Sequence, residues 1–307
     1  VEGLCKADER DISGGRDGKT PGLLFNTQKK SALEVARRLT ARGCQAGAPF
    51  LLPPHEAAAL DVPATEDDEW RARVDFAVVI GGDGTFLRAA RYVFGHPVPL
   101  YGINVGRLGF LAIGDPGSAE RDIEQILSGN FSVQDRHLVR GTVLRSNRPV
   151  HELHALNDLV ITKGAFARAI DIELRVGEES LCILPADGMI VSTPTGSTAY
   201  ALSAGGPIVP PHVPCMILAP ICAHTLYARP IILGEGDVGY LIPRGENRDL
   251  ILTQDGQLGY EILPGDRIEV RLDPEKRLRT ISLPHRSYYD LLREKLQWGS
   301  AAAEMER

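Results

Sequence analysis

No apolar run in the chain approaches the eighteen or so residues that a membrane-spanning helix needs, so a membrane partner is not expected. There is no Cys-x-x-Cys. The five cysteines, Cys5, Cys44, Cys182, Cys215 and Cys222, are odd in number and scattered. That spacing excludes a zinc ribbon or a disulfide framework and implies reduced, structural thiols. There is no excess of positive charge either. A net charge of −6 argues against a nucleic-acid or anionic-membrane partner and leaves room only for a local basic pocket. No internal repeat of fixed period is present. No signal-like segment is read at the start of the chain, and a cytoplasmic location is expected. What remains is ordinary for a soluble globular protein: 43% hydrophobic and 24% charged residues, in a chain of 307. That length accommodates about two domains.

The most informative stretch is Gly81-Gly82-Asp83-Gly84-Thr85. It follows an apolar run, Val74 to Ile80, and precedes a helical pattern of Phe86, Leu87, Ala89, Ala90 and Val93. Strand, glycine turn and helix start therefore succeed one another without a spacer. Glycines permit φ > 0 and let a ligand touch the backbone. The helix start offers unpaired N–H groups to a phosphate. A carboxylate in such a cradle repels phosphate, so Asp83 is expected to serve a proton or a magnesium-bound oxygen. A glycine turn after a strand also occurs as a plain βα connection.

Residues 1–20 are polar, without an apolar period, and are expected to be a flexible lead-in. Gly22–Phe25 predicts a buried strand. A helix is predicted from Gln28 to Arg42, with Ala32, Val35, Ala36 and Leu39 on one face and Gly43 as its stop. Pro53 to Glu69 is proline- and acid-rich and predicts loop with one helical turn. Val98 to Asn104 predicts the next strand. This alternation implies an open parallel α/β sheet, in which ligands sit beyond the carboxyl ends of the strands. After about Gly129 the period changes to two: Ile170, Ile172, Leu174 and Val176 alternate with polar residues, as do Ile268, Val270 and Leu272. Further apolar runs occupy Leu153–Ile161, Met189–Val191, Met216–Ala219, Ile231–Leu233 and Leu250–Leu252. They predict a mostly antiparallel second domain. Ser287–Trp298 closes the chain as a helix, and Pro284 before it marks a crossing between domains.

Polar clusters interrupt these runs. In Asn104–Phe110, Arg107 is placed to meet phosphate oxygens, or is a surface arginine in a turn. Asn157-Asp158 stands inside a strand pattern although both types are poor strand formers, which means a functional demand or a bulge. Asp187–Tyr200 holds the chain's densest run of small hydroxyl residues, suited to ribose, amide and phosphate groups, and Tyr200 is able to stack on a base. Asp255-Gly256-Gln257 carries the commonest hairpin signal, so structure alone accounts for it.

Taken together, these motifs resemble the NAD kinase family over roughly Gly22 to Gly299. The resemblance rests on Gly81–Thr85, Asn104–Leu111, Asn157-Asp158, Asp187–Pro207, Pro220–Pro230, Asp255–Gln257 and the ending Leu292–Gly299. Gly81–Thr85 alone is shared with diacylglycerol- and sphingosine-type lipid kinases. Thr193–Tyr200 followed by Ser203–Pro207 is far more specific. The resemblance implies phosphoryl transfer from ATP or inorganic polyphosphate to the adenosine ribose 2′-hydroxyl of NAD, giving NADP, with magnesium accompanying the donor. It implies an α/β phosphate-donor domain (21–128 and 284–307) and a β-sandwich-like NAD-binding domain (129–283), the last helix returning to the first. Carried over residue by residue, Asp83 is the general base or orienter for the 2′-hydroxyl. Gly82, Gly84, Thr85 and Arg107 hold phosphates, and Asn157 and Asp158 hold ribose hydroxyls. Phe110, Asp187, Thr195, Thr198, Ala199, Tyr200, Ser203 and Gln257 complete the NAD site with Asp83 and Gly84. Asp255 reaches NAD from a neighbouring subunit, which implies a homodimer or homotetramer.

The chain departs from the family pattern in two places. Ala223 stands where proline is usual, and the connection Pro210–Pro214 is shorter than usual. Two rival functions share some of these motifs: a lipid kinase, which needs an exposed apolar lip for its substrate, and a dinucleotide sensor that keeps the pocket without turnover.

Overall fold

The structure, a computed structural model, describes residues 19–164, 169–245, 249–284 and 287–297. Cys5, Trp298 and most of the 1–20 lead-in lie outside them. The chain divides into two compact units, Val1–Gln134 with Arg279–Arg307, and Asp135–Leu278.

In the first unit β1 (Pro21–Phe25) leads to α1 (Lys30–Gln45), α2 (Pro54–Leu60) and α3 (Asp67–Arg73). Then come β2 (Phe76–Gly81), α4 (Asp83–Tyr92), β3 (Leu100–Asn104) and α5 (Ala119–Leu127). β1 and β3 flank β2, both parallel to it. Every residue of the three strands is buried, as a parallel sheet covered on both faces requires. Leu23, Phe25, Val78, Ile80 and Ile103 form a core with Val35 and Leu39 of α1 and Ile123 and Ile126 of α5.

Two expectations fail here for physical reasons. α1 does not stop at Gly43 but runs through it. A Cβ there would stand 2.7 Å from the Ala48 carbonyl and 2.9 Å from Phe50, so this glycine serves close packing. Pro53 to Glu69 is not mainly loop, since α2 and the start of α3 fall within it. Pro54 suits the first helical position, where no N–H is needed. Asp67, Asp68 and Glu69 meet the positive end of α3, and Arg71 and Arg73 its negative end. Between them the fully buried Trp70 donates its indole N–H to the Leu51 carbonyl at 2.8 Å.

β4 (Ser132–Arg145) carries residues of both units and pairs with β5 (Arg148–Ala155). There follow β6 (Asp158–Lys163), β7 (Ile170–Val176), β8 (Glu179–Ala186) and β9 (Gly188–Ser192), a 3-10 turn at Thr195–Thr198, and α6 (Tyr200–Ser203). Next are β10 (Cys215–Ile221), β11 (Ile231–Gly234), β12 (Gly239–Arg244), β13 (Leu250–Gln254), β14 (Leu258–Ile262) and β15 (Arg267–Ser282). One sheet of the second unit runs β11-β10-β9-β6-β13-β14, antiparallel throughout. β12 lies between β15 and β7, and β8 pairs with β7, also antiparallel. Ile161, Met189, Val191, Met216, Leu218 and Leu252 meet Ile170, Ile172, Leu174, Leu241, Ile268 and Val270 in the second core. The α/β-plus-β architecture expected from the sequence is the one observed. β15 ends in the first unit, where Thr280 pairs with Leu100 in parallel, and α7 (Tyr288–Leu296) completes that unit. The Ser287 hydroxyl caps α7, accepting from the Asp290 N–H at 3.1 Å. The run Leu153–Ile161 is not one strand: it breaks at Leu156-Asn157, between β5 and β6.

Candidate active site

In the first unit the carboxyl ends of β1, β2 and β3 are tied together. Asn26 N–H donates to Ile80 O at 2.9 Å and Val105 N–H to Gly81 O at 3.1 Å. α4 starts at Asp83 with Gly82 as its cap. None of Gly81, Gly82 and Gly84 has positive φ, so left-handed backbone is not what the glycine turn supplies. Gly81 is required because the Thr85 side chain, buried in the first turn of α4, lies where a Cβ would be.

The Asp83 carboxylate is half-buried and bound to one loop. Oδ2 accepts the Phe110 N–H at 2.8 Å, and Oδ1 accepts those of Leu111 and Ala112 at 3.0 and 3.3 Å. Such charge-assisted bonds are about twice as strong as neutral ones. The loop comes close enough only because residue 109 is glycine: a Cβ there would collide with the carboxylate. Phe110 lies under the Lys295 ammonium of α7, 5.4 Å from its ring centre. Asn104 shapes the preceding turn, accepting from Gly106 N–H at 2.7 Å and donating to Arg107 O at 2.8 Å. Lys29, which the sequence reading passed over, stands against Gly106, where a Cβ would be 2.6 Å from its Nζ. Its signal was present as a basic residue just behind the first strand. Among the described residues neither Lys29 nor Arg107 pairs with a carboxylate.

In the second unit the break at Leu156-Asn157 is clamped from two sides. The Thr193 hydroxyl donates to Leu156 O at 2.5 Å, and Thr193 N–H and the Ser192 hydroxyl donate to Asn157 O at 2.9 and 3.2 Å. Gly196 packs on the Asn157 backbone so closely that a Cβ has no room. Opposite, the Asp255 carboxylate accepts Asn157 N–H at 2.7 Å and those of Leu156 and Asp158 at 3.3 Å each. Asp255 is 8% exposed and its φ is +51°. Sequence reasoning gave it a role toward a neighbouring subunit; within its own chain its carboxylate bonds to the backbone of the Leu156–Asp158 turn. Gln257 stays exposed in the same hairpin.

Asn157 is half-buried, and its side-chain amide has no partner among the described residues. Asp158 is 4% exposed. Burial, and next the Asp255 charge, push its carboxyl up to about 7, while the Tyr200 N–H pulls the other way. The hydroxyl-rich run divides in two. Ser197 is used internally, bridging the Pro194 and Val209 carbonyls at 2.7 and 3.1 Å. Thr195, 6% exposed, has a buried hydroxyl with no partner. Thr198 leans on the Thr195 carbonyl at 3.4 Å. Ala199 is half-buried, while Tyr200 and Ser203 are exposed on α6. Asp187 lies apart from this turn, paired with Lys163 at 2.8 Å.

Two family models match in tandem: the ATP-NAD kinase N-terminal domain over residues 22–131 and the ATP-NAD kinase C-terminal domain over residues 156–283. The NAD kinase of Symbiobacterium thermophilum is 40% identical over 277 residues, 89% of this chain and 97% of that protein. That of Heliobacterium modesticaldum is 38% identical over 281 residues, 91% and 99% of the two chains. Among solved structures, yeast NADH kinase complexed with NADH has a similar fold, with a TM-score of 0.84. It is 22% identical and covers 93% of this chain and 89% of its own. An NAD kinase from Archaeoglobus fulgidus in complex with ATP aligns with a TM-score of 0.72 at 26% identity, over 89% of this chain and 97% of that one. With both domain models matched in order and relatives aligned over nearly their whole length, the chain belongs to the NAD kinase family.

Proposed function

We propose that this enzyme transfers the terminal phosphoryl group of ATP or inorganic polyphosphate to the 2′-hydroxyl of the adenosine ribose of NAD, giving NADP. The observation that carries the reading is Asp83, a half-buried carboxylate at the first position of α4, directly behind the glycine turn. Its Oδ1 has two N–H partners and its Oδ2 one, so Oδ2 keeps a lone pair for a proton. Oδ2 takes the proton of the 2′-hydroxyl as that oxygen forms its bond to phosphorus. The bond from phosphorus to the donor's bridging oxygen breaks, and ADP or the shortened polyphosphate leaves. A positioned base contributes on the order of 10²–10⁴ in rate, and alignment and charge neutralisation supply most of the rest.

The donor's phosphates are met by Gly82, Gly84, Thr85 and the unpaired cations Lys29 and Arg107. The NAD ribose is met by the Asn157 amide, the Asp158 carboxyl and the orphaned Thr195 hydroxyl, which gains its missing partner. Phe110 of the first unit and Asp187, Thr198, Ala199, Tyr200, Ser203 and Gln257 of the second are the further residues assigned to NAD binding. Among the described residues no group of three or more His, Cys, Asp or Glu could hold a metal ion. Magnesium would accompany the donor's phosphates and neutralise their charge. No helix among the described residues is long and apolar enough to cross a membrane. The reading carries with it a cytoplasmic enzyme, no nucleic-acid partner, and a homodimer or homotetramer.

A coupled assay tests the activity. NAD, magnesium and each donor in turn should yield a product that supports a dehydrogenase strictly dependent on NADP. Failure with both donors refutes the reading. Sedimentation tests the assembly, and a fully active monomer overturns it.

A further inference from the structure

We infer that Asp255 is a positioning residue: seated in the backbone N–H groups of Leu156, Asn157 and Asp158, it sets the ribose-reading turn and keeps the neighbouring Asp158 carboxyl in its neutral, hydrogen-donating form. The inference deepens the function proposed above and rests on it for the identity of the ligand.

The geometry has three parts. First, the Asp255 carboxylate bonds three successive N–H groups, at 2.7 to 3.3 Å, across the break between β5 and β6. Successive N–H groups converging on one acceptor form an anion nest, and here the anion is built into the chain. Second, Asp255 is itself fixed. Its N–H donates to Asp158 O at 2.9 Å, and its φ of +51° and that of Gly256, +62°, turn the β13–β14 hairpin. Aspartate tolerates that left-handed backbone as few other side chains do. Next to it, Gln254 extends the tie with a 2.6 Å bond from its side-chain amide to His154 O. Third, the turn holds two buried carboxyl groups, Asp158 and Asp255, at 4% and 8% exposure.

Like charges so placed favour one proton between them. Asp255, with three N–H donors, is the one held ionised, and Asp158 is left to carry the proton. The groups facing Asp158 from neighbouring elements agree with that assignment. They are the Asp255 carboxylate from the hairpin, the Tyr200 residue of α6 with its N–H, and uncharged Ser192 across on β9. A neutral Asp158 donates to a ribose oxygen, whereas an ionised one only accepts. Asn157 and Asp158 thus present donors together.

The experiment measures NAD dissociation constants by calorimetry from pH 5.5 to 8.5, and KM for NAD and donor, on the full chain. In the native protein NAD affinity should fall as pH rises through about 7, as Asp158 loses its proton. Asp255→Asn puts an amide N–H₂ against the N–H nest and removes the charge. It should weaken NAD binding tenfold or more, leave the donor KM within twofold, and move the falling limb to lower pH. Asp158→Asn, a neutral donor at every pH, should remove the limb altogether. This milder change keeps the inference testable if Asp255→Asn fails to fold. A limb that stays in place in either variant, or equal losses toward NAD and donor, overturns it. Binding is read without turnover, so an enzyme that binds NAD with this pH dependence yet makes no NADP refutes the proposed reaction and not the role of Asp255.

Discussion

Each unit places an aspartate at a glycine turn and gives its carboxylate three consecutive N–H groups of another loop. In the first, Asp83 binds Phe110, Leu111 and Ala112; in the second, Asp255 binds Leu156, Asn157 and Asp158. The two differ in what else surrounds the acid. Asp83 is half-buried at the positive end of a ten-residue helix, with one N–H partner on Oδ2 and two on Oδ1. Asp255 is buried in a hairpin beside a second carboxyl group. The same local device leaves one acid half-exposed at a helix start, where we propose a reactive role, and buries the other, where we propose a positioning role.

The largest expected effect removes the acceptor oxygen itself. 2′-deoxy-NAD should bind measurably and receive no phosphate, since a site built on ribose hydrogen bonds rejects the analogue whose absence leaves its own groups unpaired. Phosphate on that analogue, read by mass spectrometry, would move the reaction away from Asp83. Asp83→Asn comes next. It should keep the fold and much of the NAD affinity and lose on the order of 10²–10⁴ in kcat. A variant with native kcat would make Asp83 as architectural as Asp255 and erase the contrast. Gly109→Ala sharpens the comparison without replacing either acid. Its methyl group takes the space of the Asp83 carboxylate. Displacement by about 1 Å costs on the order of 10² in kcat, so KM for NAD should change far less than kcat. The smallest effect belongs to Thr195→Val. The native hydroxyl is buried without a partner, so the free protein should melt no lower. NAD binding should weaken by roughly three- to tenfold, the worth of one neutral hydrogen bond. A lowered melting temperature with unchanged NAD affinity would count Thr195 among the structural hydroxyls, with Ser197.

Much of this was legible because pattern and motif are local. The buried strands around Leu23–Phe25 and Phe76–Gly81, the period-two runs of the second unit and the acid in the glycine turn all declare themselves within a few residues. The failures come from tertiary contact. Gly43 looks like a helix stop, and only the approach of Ala48 and Phe50 shows why a glycine is needed inside α1. Pro53–Glu69 hides two helices because each is short and Trp70 alone is buried in the second. Asn157 breaks a continuous apolar run, and nothing in the run itself distinguishes a bulge from a binding turn. The partner of that turn is the Asp-Gly of a hairpin far along the chain, whose local signal is fully used up by the hairpin.

The spans of the two ties differ as well. Asp83 and Phe110 are 27 residues apart, whereas Asn157 and Asp255 are 98 apart. At ribosomal speeds of about 5–20 residues per second, the first tie becomes possible within roughly 1–5 s of its aspartate being made. The second must wait roughly 5–20 s after Asn157 is made, until the hairpin follows. During that interval the nascent chain can hold the Asp83 carboxylate in its loop while the Leu156-Asn157 turn still lacks its acceptor. The Asp83 tie can thus form well before the Asp255 tie as the chain leaves the ribosome.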